Sequence, residues 1–265
     1  MKLLSRSARL ALPSLAVLSL LALATAPAFS DQAALAGRDL IAKWADAVVT
    51  ISVVAKTQVV SEGESYEEEE TNEAIATIID PSGLAVVSLS EVDPTHIWDA
   101  MMQEDSDMQF QAEVTSVKIR LPDGKELPSK VVLRDKDLDL AFLRPLEKLA
   151  APLTALDLTN TSQPAILDEI LILDRLGEIA NRVPAISLDR IEAIVHKPRT
   201  FYIAGLYSVS TGAPGCPVFS LDGKLIGITV LRMIPAQSAS SSDEGILDII
   251  LPAADVLETS KQAPD

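Results

Sequence analysis

"IRLPDGKELPSKVVLRDKDLDLAFLRP", residues 119–145, decides how this chain folds. The turn signal "PDG" (122–124) separates a strand-like run, "AEVTSVKIRL" (112–121), from a second, "SKVVLRD" (129–135), and a third, "LDLAFLRP", follows at 138–145. Runs of this length, rich in β-branched and aromatic residues and punctuated by Pro, Asp and Gly, predict short strands joined by tight turns. In "DLDLAFL", Leu138, Leu140 and Phe142 alternate with Asp137, Asp139 and Ala141, so one face is apolar while the other begins with acids. Once buried, Asp139 needs hydrogen-bond donors.

The same pattern extends to both sides. "AVVTISVVAKTQVV" (47–60), "AIATIID" (74–80), "LAVVSL" (84–89), "EILILD" (169–174), "KLIGITVL" (224–231) and "ILDIILP" (246–252) are further strand-like runs. Many short strands with turns between them predict an all-β barrel or sandwich. Helices are expected only at the margins. Residues 31–45 place Leu35, Leu40, Ile41 and Trp44 at near-helical spacing, residues 94–112 read as a short amphipathic helix with an acidic flank, and "PAADVLETSKQ" (252–262) closes the chain. Between the first two strand runs, residues 61–73 ("SEGESYEEEETNE") read as an acidic, solvated loop. It lacks the alternating oxygen ligands and glycine of a dedicated calcium loop, so no metal is expected there, and no cofactor elsewhere. Residues 238–245 ("SASSSDEG") read as a polar loop.

Composition narrows the function. Lys2, Arg6 and Arg9, an apolar run and the small residues around Ala28 and Ser30 form a secretory signal peptide over residues 1–30, with Asp31 as the mature N-terminus. A membrane anchor is the alternative, but Pro13 breaks the run and Pro27 ends it. The whole chain carries 22 basic and 38 acidic residues. Three of the basic residues and no acid lie in the signal, so the mature domain has a net charge near −19. Such a charge repels phosphate backbones and anionic lipid, which argues against nucleic-acid and direct membrane binding. With a single cysteine, Cys216, no intramolecular disulfide can form despite export.

Four segments in order resemble the exported trypsin-like serine proteases of the HtrA/Deg family: "TIIDPSGLAVVSLSEV" (77–92), residues 119–145, "STGAPGCPVFSLDGKLIGIT" (210–229) and "GILDIILP" (245–252). The likeness spans residues 45–262. It implies two antiparallel β-barrels of the trypsin/chymotrypsin type over residues 31–265, with a cleft between them and no PDZ domain after the last segment. Carried over residue by residue, it puts Ser90 at the family's histidine, Asp139 at its aspartate and Pro214 at the nucleophilic serine of "GNSGGP". Cys216 takes the second glycine of that motif. Gly212 keeps one oxyanion donor, and Pro214, lacking an N–H, removes the other. The "GSG" before the second strand has become "AIA" (74–76), and a glycine-rich turn has become "LDRLGE" (173–178).

A serine cannot serve as general base near neutral pH, and proline carries no nucleophile, so the resemblance implies a degenerate site. The expected role of Asp139 is structural, with Ser90 as one donor. Cys216 is the alternative nucleophile, and Ser210 and Thr211 are weaker ones. Both histidines, His96 and His196, fall outside the matched segments. The expectation is a pseudoprotease, periplasmic or secreted, that binds a peptide, protein or other partner in the cell envelope. An active endopeptidase using Cys216 and a purely structural envelope protein stand as alternatives, and oligomerisation is left open.

Overall fold

The computed structural model describes residues 32–61, 64–93, 95, 109–205, 213–233 and 246–264. The signal segment, the expected 94–112 helix up to residue 108 (Thr95 apart) and the loop 238–245 up to Gly245 lie outside the described residues.

Twelve strands form two closed barrels. β1 (Val48–Ser61), β2 (Glu64–Ile78), β3 (Ala85–Ser88), β4 (Gln109–Arg120), β5 (Glu126–Asp135) and β6 (Leu140–Pro145) close in the order β1-β2-β3-β6-β5-β4. β7 (Glu169–Arg175), β8 (Pro184–Val195), β9 (Phe201–Ala204), β10 (Pro217–Ser220), β11 (Leu225–Met233) and β12 (Ile246–Pro252) close as β10-β11-β12-β9-β8-β7. All ladders between these strands are antiparallel, as the trypsin/chymotrypsin fold requires. Helix α1 (Gln32–Trp44) precedes the first barrel and α2 (Ala253–Ser260) follows the second.

The decisive stretch forms β4 to β6 as a meander, and its alternation explains how the barrels join. Ala141 and Leu143 pack inside the first barrel with Ile51, Ile78 and Ile119. Leu140 and Phe142 point the other way, into the core shared with the second barrel, beside Ile172 and Val230. A strand buried on both faces loses the alternation of a half-solvated one, and β3 follows suit, with Val87 inward and Val86 toward the junction. Asp139 lies just before β6, at φ 54, rather than within the strand.

Two expectations are corrected. The acidic segment is not a loop, because residues 64–73 form the outer part of β2, paired without interruption from Ser61↔Glu64 to Val48↔Thr77. Val- and Thr-rich β1 supplies a ladder that satisfies the backbone, while the glutamates stay in water, so charge did not prevent a strand from forming. At its far end the expected 94–112 helix gives way to strand, since Gln109–Ala112 begin β4 against β1.

Candidate functional site

Asp139 stands where the two barrels meet, and both oxygens of its carboxylate accept hydrogen bonds. Oδ1 accepts the Ser90 amide at 2.9 Å and the Ser90 hydroxyl at 2.5 Å. Oδ2 accepts the Ser88 hydroxyl and, from the second barrel, the Leu231 amide at 2.9 Å. Its own carbonyl accepts the Leu89 amide at 2.8 Å. Only 4% of Asp139 is exposed, so these bonds replace water for a group that would otherwise be costly to bury. None of the four carboxylate donors is an imidazole. Ser90, one residue into a 3₁₀ turn (Leu89–Glu91), is itself buried.

The neighbouring Glu91 is affected by the same crowding. Burial, and then the negative charges of Asp139 and Asp248, raise its carboxyl above the usual glutamate value.

The loop from the second barrel reaches this junction through a Pro–Gly turn. Pro214 and Gly215 occupy its central positions, Gly215 has φ 98, and the Cys216 amide points back to the Ala213 carbonyl at 3.3 Å. This is the arrangement of a type II turn, in which Pro presets the first position and Gly alone fits the second comfortably. Gly215 also presses on the first barrel, where a Cβ would come within 2.2 Å of the Ile75 carbonyl oxygen. The buried Thr77 hydroxyl donates to the Gly215 carbonyl at 2.8 Å. Ser90 and Asp139 thus meet directly, and Gly215, next to Pro214, packs against Ile75 and Thr77 of the first barrel. Gly212, Ser210, Thr211 and His96 lie outside the described residues.

Cys216 is entirely buried, and its thiol donates to Asp174 Oδ1 at 3.2 Å. Burial, reinforced by the Asp174 carboxylate, pushes the thiol well above its ordinary pKa. That is the reverse of the cationic surroundings that make a reactive thiolate. Its amide donates to Thr229 Oγ1 at 2.9 Å, and the Thr229 hydroxyl donates to the Ala213 carbonyl at 2.8 Å. His196 is exposed and lines a separate depression with Tyr202 and Asp255.

Three participants escaped the sequence reading. Ser88 sits two residues before Ser90, on the same side of the chain, a spacing that could have marked it. Asp174 lies in "LDRLGE", where only the missing glycines drew notice, yet its Oδ2 also lies 3.4 Å from the Ala213 amide. Arg175, at the end of β7, is buried and donates to the carbonyls of Val48 at 2.7 Å, Arg182 at 2.8 Å and Ala45 at 2.5 Å, binding the second barrel to the chain that enters the first. Among the described residues no cluster of three or more metal-ligating side chains occurs, and no helix is long and apolar enough to cross a membrane.

No curated protein matches the chain in sequence. Among solved structures, the apo MamO protease domain from Magnetospirillum magneticum is similar to it at 15% identity and a TM-score of 0.48, over 82% of this chain and 96% of that one. Residues 103–228 match the family model of the trypsin-like peptidase domain, and with its two closed six-stranded barrels the chain has the fold of trypsin-like peptidases.

Proposed function

We propose that this protein is an exported, HtrA-like pseudoprotease: a trypsin-type scaffold without hydrolytic activity that acts by binding a peptide or protein partner in the cell envelope. The observation that carries this reading is Asp139, which among the described residues accepts from two serine hydroxyls and two backbone amides, one from across the barrel junction. An aspartate that orients a catalytic imidazole keeps a lone pair for it. Here both carboxylate oxygens are already used by groups other than an imidazole. The proline at residue 214 has a structural use in its turn and supplies neither a nucleophile nor an N–H. The Asp174 carboxylate beside the Ala213 amide adds negative charge next to the loop where an oxyanion would need the opposite. The buried, protonated Cys216 gives no support to a thiol mechanism.

Purified mature protein is expected to leave unfolded casein intact and to resist fluorophosphonate labelling, and Pro214→Ser alone is expected to restore neither. Turnover that disappears in Cys216→Ala would replace this reading with a cysteine peptidase. Export is tested separately: N-terminal sequencing should find Asp31 first, and an intact Met1 in the exported fraction would refute cleavage at that site.

A further inference from the structure

The β1–β2 hairpin overshoots the first barrel, and its inner face continues past the core. Inside the barrel that face presents Val49, Ile51 and Val53 from β1 beside Ala74 and Ala76 from β2. Beyond it the period of two carries the same face on to Ala55↔Glu70, Thr57↔Glu68 and Val59↔Tyr66. The result is a groove of about 480 Å³ that runs from Phe110 on β4 to Ser90 and Glu91 at the barrel junction. Its floor is largely valine, alanine and Phe110. Its rim carries Glu68, Glu70, Glu73 and Glu91, and among the described residues no lysine or arginine lines it. Arg182 of the second barrel holds Glu73 through two guanidinium nitrogens, Nε at 3.2 Å and one Nη at 2.5 Å.

Beside the groove is an open strand edge. β2 is paired with β1 along its length, but on its other side it pairs with β3 only at Thr77 and Ile78. Among the described residues no other strand covers that side of residues 67–73. Such an edge is a template for an added strand. A chain added there places alternate side chains about 4.5–5.5 Å from Glu68 and Glu70, on the groove side. Lysine and arginine suit those places, with their alkyl stems over the apolar floor and their charges at the carboxylates.

We infer that the open edge of β2 and the groove beside it take an extended, basic peptide segment as an added strand, with Lys or Arg at alternate positions facing Glu68 and Glu70. This rests on the binding role proposed above and supplies the chemistry of the partner. At the groove's inner end the Glu91 carboxyl is raised by burial and then by the charges of Asp139 and Asp248.

The test uses a fluorescein-labelled decapeptide of alternating Lys and Thr, titrated by anisotropy into the mature protein at about 0.15 M salt, where charges beyond about 8 Å are screened. The expected result is saturable binding that weakens at least about tenfold in Glu68→Gln/Glu70→Gln and less than about threefold in Glu67→Gln/Glu69→Gln, whose side chains lie on the opposite face. Methylating alternate backbone nitrogens, on the side that faces β2, should abolish binding. Equal weakening by the two glutamine pairs, undiminished binding of the N-methylated peptide, or no binding of the parent peptide would each overturn the proposal. Mass spectrometry of the same mixtures separates the two readings: cleaved peptide would refute the pseudoprotease and leave the groove standing, whereas intact, unbound peptide refutes the groove alone.

Discussion

Replacing Asp139 measures whether it is a relic of catalysis or a structural element. In Asp139→Ala, the two hydroxyls can rotate to other acceptors, but the amides of Ser90 and Leu231 cannot. Each orphaned buried donor costs about 1–3 kcal/mol, so the pair gives roughly 2–6 kcal/mol. Removing one partner from a buried charged network gives a similar figure, about 3–5 kcal/mol. Asp139→Asn is the sharper probe. Asparagine tolerates the left-handed backbone at φ 54, so no strain is introduced, and its size is unchanged. Yet only one of its two terminal atoms accepts, and each carboxylate oxygen now serves one amide, Oδ1 that of Ser90 and Oδ2 that of Leu231. Whichever way the side chain turns, an NH₂ faces a backbone N–H. The expected loss is about half that of alanine, roughly 1–3 kcal/mol, read as a lower urea midpoint with unchanged slope. An Asn variant within about 0.5 kcal/mol of the parent would show that these bonds do not hold the barrels together, and the structural account of Asp139 would fail.

Gly215→Ala should destabilise the fold by more than about 3 kcal/mol, since it combines φ 98 with a Cβ placed 2.2 Å from the Ile75 carbonyl oxygen; a near-neutral urea midpoint would refute the close approach. The Cys216 thiol should resist iodoacetamide at pH 8 in the folded protein and react on unfolding in urea, because it is buried and its pKa is raised; stoichiometric labelling of native protein would contradict both. Glu91 has a carboxyl raised by burial and then by Asp139 and Asp248, so its folded-state stability is greatest when protonated and is lost as pH rises through the folded value. Glu91→Gln should therefore be more stable than the parent near neutral pH, with the advantage fading below about pH 4, and a difference independent of pH would refute the assignment.

The fold was legible where each residue's local preference agreed with its place in the barrels. Residues 119–145 carried clear turn signals and alternation, and they form β4 to β6 where the pattern puts them. The reading failed where partners rather than composition decide. Residues 64–73 look too charged to order themselves, and alone they would be, but β1 offers a full ladder and the glutamates lose no hydration by pairing. In the second barrel, β8 mixes acids and Arg190 with apolar residues and β9 spans only Phe201–Ala204, so neither showed as a strand run. For the site, a motif register set Ser90 near Asp139, and the Ser90 amide and hydroxyl both donate to its carboxylate. It could not find Leu231, whose contribution is a backbone amide, or Asp174 and Arg175, whose partners lie far along the chain.

The way the junction's donors are used ties its stability to the inactivity proposed for it. Transition-state stabilisation needs hydrogen-bond donors that are poorly satisfied before the reaction and become satisfied as charge develops. In this loop the described amides already have partners. Ala213 N lies against Asp174, Gly215 N donates to the Thr229 carbonyl at 2.7 Å, and Cys216 N donates to Thr229 Oγ1, while Pro214 has no N–H to offer. Both oxygens of Asp139 likewise accept hydrogen bonds in the ground state. The loop amides are used within the second barrel, and Asp139, through the Leu231 amide, binds one barrel to the other. Restoring serine at 214 adds a nucleophile but frees none of these groups. Hydrolysis would need an imidazole, an oxyanion donor and a lone pair on Asp139 together, and giving up the Leu231 bond to free that lone pair would loosen a contact that joins the barrels.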